Sequence, residues 1–302
     1  MKKLLFTLAL CLTAGGAMAQ QEEQGQQTQP GQGVLTAGQP FEGEIELETY
    51  ENYSDVMLQI APGIHFNGVH KARLILKGNK MHLIDTTIGL HTIVVDENTS
   101  ANGKKDSEPF YAHFCELTKT GIIYKGEQLR LLQQMNREQD LSGRKDSSLI
   151  NTYAPTSTTK VILDKTCTLH QGEIIRKNGF TEVRFEIKAW VSDIPAPPVY
   201  RWYTSCFEAS NILLKYITKT DGGHIGYLGE MSSYNEIDVT KIISRPVEDT
   251  EFEIPKDCKF EADILKYSKE TMLNLTKADI KGAPNETKST GVHYQTNDEW
   301  DF

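Results

Sequence analysis

The chain has 302 residues, 38% of them hydrophobic, with 32 basic against 41 acidic side chains and a net charge of −9. That balance excludes a reader of phosphate backbones, which needs concentrated Lys and Arg, and it disfavours docking on anionic lipid. The length suffices for one sizeable core without covalent staples.

Residues 1–19 have the order of a secretory signal peptide. Met1, Lys2 and Lys3 form a positive start, residues 4–12 are apolar, and Ala17-Met18-Ala19 is a small-x-small cleavage signal. The apolar run is short of the roughly 20 residues that span a bilayer, and no later segment comes near that length. Cys11 follows the large Leu10 inside the apolar run, a poor match to a lipid-anchor signal. The expectation is therefore a cleaved, periplasmic protein of 283 residues with 30 basic and 41 acidic side chains. Residues 20–39 are rich in Gln, Gly and Glu and predict a disordered leader, because they bury too little to offset ordering.

From Phe41 the texture becomes period two. Ile45, Leu47 and Thr49 share one side, and Glu44, Glu46 and Glu48 the other, which predicts a strand dry on one face and charged on its exterior. Residues 55–60 are a strand or a helical turn. Residues 71–76, 81–85 and 91–96 predict strands joined by turns at Gly78-Asn79 and 86–90. A polar loop over 97–109 separates them from strands at 110–117 and 121–124. Leu129, Leu132 and Met135 recur at helical spacing and predict an amphipathic helix over 127–139. Residues 140–157 read as a Ser/Asp/Asn-rich loop. Strands follow at 160–163, 167–176 and 181–191, the last two paired across Asn178-Gly179, and the prolines at 195, 197 and 198 stop the run. Further strands are predicted at 212–218, 224–231 and 235–243, with Gly222-Gly223 as a hairpin turn and a short strand at 251–255. A second helix is predicted over 260–275. The tail over 276–302 is polar and flexible, and it ends in Glu299-Trp300-Asp301-Phe302, either frayed or a docking peptide.

No nucleophile elbow, zinc-protease helix, phosphate loop or dinucleotide fingerprint occurs. Four cysteines follow the signal, namely Cys115, Cys167, Cys206 and Cys258. They permit two disulfides, with Cys167–Cys206 preferred, or serve as buried free thiols. His65, His70, His82, His91 and His113 lie in the first half. His82 and His91 can approach across a hairpin, where two imidazoles could hold a metal, although solvated or backbone-bonded histidines are the commoner use. The expectation is no metal, no cofactor and no catalytic residue.

The order of motifs resembles a family of exported envelope proteins of unknown function, common in Bacteroidetes-type bacteria, that shares the fold of the lipoprotein carriers LolA and LolB. The matching pieces are Phe41-Glu42-Gly43-Glu44-Ile45, Lys77-Gly78-Asn79-Lys80, Lys165-Thr166-Cys167, the stretch from Glu186 to Pro195, and that from Asp249 to Pro255, over roughly residues 40–258. The resemblance implies a curved antiparallel sheet wrapped on helices and assigns no catalytic residue.

The expected fold is α+β and mainly β, a curved antiparallel half-barrel with a few covering helices over 40–275. Its apolar face is either a filled core or a groove for an acyl chain. The groove reading makes the protein a non-enzymatic binder of a lipid, a lipoprotein or an envelope partner. It selects Leu74, Leu76, Leu83, Ile93, Val95, Phe185 and Ile187 as lining residues. A second reading is an envelope interaction module that docks through Trp300 and Phe302, and a third is an envelope hydrolase or metalloenzyme.

Overall fold

The computed structural model describes residues 39–54, 67–96, 108–129, 147–178, 181–204, 209–225 and 229–261. They form one curved, unclosed sheet. Its strands are β1 (Gly43–Tyr53), β2 (Gly68–Lys77), β3 (Lys80–Asp85), β4 (Leu90–Val95), β5 (Phe110–Cys115), β6 (Thr120–Lys125) and β7 (Ser147–Asn151). They continue as β8 (Ala154–Ile162), β9 (Lys165–Asn178), β10 (Thr181–Pro195), β11 (Asn211–Ile225), β12 (Gly229–Ser244) and β13 (Lys259–Glu261). The order across the sheet is β13-β6-β5-β4-β3-β2-β1-β12-β11-β10-β9-β7, with β8 also on β9.

Two meanders therefore meet at β1. The first runs outward through β2 to β6, and the second returns through β9 to β12 and closes on β1. Every one of these pairings is antiparallel. β13 is the exception. It lies parallel to β6, pairing Phe260 with Gly121, which makes the sheet mixed rather than wholly antiparallel.

Several predicted elements change. Residues 147–151 and 154–162 are strands, not loop. The second of these, β8, is an exposed Ser/Thr-rich edge held by its ladder to β9, so it lacks the inward apolar period that marks a strand. Gly222-Gly223 lies inside β11 at a register shift between Asp221 and His224, so β11 and β12 are two long strands rather than three short ones. Residues 249–252 form a 3₁₀ turn instead of a strand, and Lys259–Glu261 is strand where a helix was expected to begin. Helix is present at 126–129. The rest of that helix, the remainder of 260–275, the segment 55–60, the signal, all of the leader but its last residue, and the tail lie outside the described residues.

Side chains alternate between two faces. One face carries a broad core drawn from both meanders, with Ile45 and Leu47 of β1, Leu74 and Leu76 of β2, Met81 of β3, Phe185 and Ile187 of β10 and Val239 of β12. The segment Pro198–Thr204, a 3₁₀ turn running into a short helix, lies over it. Val199 and Tyr200 are buried there, and the Tyr200 hydroxyl accepts the Leu213 N–H at 3.2 Å. Arg201 pairs with the buried Asp96, which also accepts the Trp202 indole N–H at 3.1 Å.

The opposite face divides. Over the second meander it is charged, with cross-strand pairs such as Lys215 to Glu236 at 2.7 Å. Over the first meander it is dry. Residues 245–261 cross it as a strap, and Val247, Phe252, Ile254 and Phe260 pack on Ile75, Ile84, Ile93 and Phe114. Glu44, expected on a charged exterior, is instead only 6% exposed. It bonds Arg73 on β2 and Arg245 on the strap, and Arg245 grips Glu251 through two bonds of 2.7 Å.

Candidate functional site

The broad core does not stay apolar to its end. Beyond Leu47 the inward positions of β1 are Thr49, Glu51 and Tyr53, because the alternation that buries Ile45 continues unbroken. Across the ladders Thr49 faces His70 on β2 and Glu51 faces Asn235 on β12. Asp85 ends β3 on the same face, two positions after Leu83. A polar cluster of Glu51, Tyr53, His70, Asp85 and Asn235 thus adjoins the apolar floor.

Its geometry is built from turns. The Asp85 carboxylate accepts the N–H groups of Thr87 at 2.8 Å and Ile88 at 3.1 Å, which ties it into the turn before β4. Its other oxygen lies 3.3 Å from Nδ1 of His70, which is 3% exposed. Asn67 clamps the Tyr53 backbone at both its N–H and its carbonyl. Burial pushes the Glu51 carboxyl up, opposed by the nearby His70 and by a hydrogen bond with Tyr53. Burial and the Glu51 charge push the Tyr53 phenol well up. Tyr203, from the overlying segment, is pushed up by burial first and then by Tyr200, and it also senses Glu51. The amide oxygen of Asn235 is buried without a hydrogen-bond partner among the described residues.

The residues selected from sequence fall on both faces. Leu74, Leu76, Phe185 and Ile187 belong to the broad core, 0–3% exposed, and Leu83 packs at its margin. The Arg176 guanidinium sits 5.4 Å over the Phe185 ring. Ile93 belongs to the cluster beneath the strap, and Val95 shares its parity on β4. Glu51, Tyr53, Asp85 and Asn235 were missed. Extending the β1 alternation past Thr49 is the signal that finds Glu51.

His82 and His91 do meet, on the strap face. The Glu251 carbonyl can only accept, so His82 donates to it from Nδ1 at 2.7 Å. That leaves His82 Nε2 to accept from His91 Nδ1 at 3.0 Å. His91 stacks on Phe114 at 4.7 Å, and its Nε2 lies 3.5 Å from Glu116. Burial holds the His82 imidazole down to about 4 and also lowers His91. The two nitrogens that could share a metal are spent on each other. No group of three or more His, Cys, Asp or Glu side chains arranged for a metal occurs among the described residues.

Cys115, Cys167 and Cys258 are free thiols. Cys258 lies near enough to Cys115 for the two thiols to sense each other, yet no disulfide joins them. Cys206, and with it the preferred Cys167–Cys206 pairing, lies outside the described residues.

Comparison with known proteins finds no family model and no curated protein that matches this chain. No helix among the described residues is long and apolar enough to cross a membrane.

Proposed function

We propose that this protein is a non-enzymatic carrier of the exported compartment, which holds the acyl chain of a lipid against the broad apolar face of its sheet. One observation carries the reading. The apolar face runs uninterrupted across both meanders of an unclosed sheet and ends in a polar cluster. An acyl chain needs a long apolar floor, and its head group needs polar atoms at one end of that floor. The margin supports entry from the side, since Leu83, Tyr111, Tyr153, Leu169, Trp202 and Tyr203 are only partly buried. The residues of the floor itself are fully covered, so the chain displaces what overlies them.

The test uses the full chain purified without detergent. Native mass spectrometry with organic extraction is expected to find a co-purified lipid, and the delipidated protein is expected to enhance the fluorescence of 1-N-phenylnaphthylamine. Leu83→Arg, at the margin, is expected to weaken probe uptake by at least ~10-fold, because a charge then sits on the entry path. Protein that carries no lipid and leaves the probe dark removes the proposal.

A further inference from the structure

We infer that Glu51 and Asn235, backed by Tyr53 and the His70–Asp85 pair, form a head-group site that selects a protonated amine. The inference rests on the carrier reading and names the class of amphiphile it serves.

The cluster is rich in acceptors. Glu51 and Asn235 are direct ladder partners on β1 and β12, so their side chains stand beside each other on the core face. The Asn235 amide oxygen is buried and lacks a donor among the described residues. A buried acceptor left unmatched is costly, so the site gains from a ligand that brings N–H groups. An ammonium supplies three donors and one positive charge, and it answers both the carboxylate and the amide oxygen. A fatty-acid carboxylate brings only acceptors and a like charge against Glu51 and Asp85. A hydroxyl brings a single donor and no charge.

Access is graded in the right sense. Glu51, Asn235 and Tyr203 are partly exposed, while Tyr53 and His70 behind them are buried. The apolar floor begins directly beside the cluster at Leu47 and Ala72. Glu51 and Asn235 keep partial exposure, with Tyr53, His70 and Asp85 fixing their surroundings.

The test is competition for bound 1-N-phenylnaphthylamine on the full chain by dodecylamine, dodecanol and dodecanoate, which share one tail and differ in head. The amine is expected to compete at least ~10-fold better than either of the others. In Glu51→Gln, which keeps shape and hydrogen bonding, the ratio of amine to alcohol affinity is expected to fall to near one. Asn235→Ala is expected to reduce that ratio several-fold and provides a second reading should Glu51→Gln fold poorly. Equal competition by the three heads, preference for dodecanoate, or an amine preference that survives in both variants overturns the head-group inference while the carrier reading stands. A probe that does not bind at all removes both.

Discussion

At the scale of single residues, three ionisable groups show how position rather than residue type sets behaviour. Glu44 is held in its charged form by Arg73 and Arg245 against the cost of burial, and its carboxyl falls to about 2. The folded state thus binds its proton less readily than the unfolded chain. Its contribution is present above the ordinary carboxylate range and is lost as pH falls through about 2. Glu44→Gln removes the charge that Arg73 and Arg245 share, while Arg245 keeps Glu251, and with both guanidiniums partly exposed it is expected to cost about 1–2 kcal/mol by urea unfolding. His82 works in the same direction at higher pH. Burial lowers it from 6.5 to about 4, so its contribution is full above 6.5 and disappears as pH falls through 4. His82→Asn keeps a donor for the Glu251 carbonyl and removes the titration. The thermal midpoint of the variant is expected to change less between pH 6.5 and 4 than that of the parent, and equal slopes would refute the assignment. Glu51 is opposite in sign, because burial raises it more than His70 and the Tyr53 hydrogen bond lower it.

At the scale of elements, the strap decides why one sheet can be dry on both sides over its first meander. Residues 245–261 leave β12, cross β3 and β4, and end as β13 beside β6. Lys77 donates to the Val247 carbonyl at 2.7 Å, and Glu42 accepts the Val247 N–H at 2.9 Å. Phe252 supplies the packing. Phe252→Ala is expected to cost about 3–5 kcal/mol and to speed amide exchange across the strap more than in β10. Uniform exchange across both would show that the strap is not a separate unit. β1 requires a glycine where it begins. A Cβ on Gly43 would lie 2.1 Å from the Ile243 carbonyl oxygen, at a φ of 147°. The sequence offers Gly43 as one small residue in an alternating run, and only the neighbouring strand shows why no side chain fits.

At the scale of the whole molecule, most of the strands were legible because period-two patterning is local. β1 to β6, β9 and β10 all declare themselves through alternation or turn residues. β8 did not, since an edge strand with exposed Ser and Thr carries no inward apolar signature. Residues 251–255 were expected as a strand, whereas 249–252 form a 3₁₀ turn of the strap, because its apolar residues serve a face that no local pattern reveals. The candidate site was partly legible. Parity places Leu74, Leu76, Leu83, Phe185 and Ile187 on the broad core or its margin, whereas Ile93, with the same look, packs beneath the strap. The head-group cluster joins β1, β2, β3 and β12, and Glu51 meets Asn235 across 184 positions of chain.

The sequence by itself determined a mainly β chain, the alternation of its strands and the turns between them, because those depend on neighbours a few residues apart. The tertiary structure decided which side of each strand is core, that Glu44 is buried and paired, that His82 and His91 bond to each other, and that a polar cluster ends the apolar floor. Each of those depends on which strand lies beside which, and pairing partners far apart in the chain are chosen by the burial and hydrogen bonding of the whole sheet.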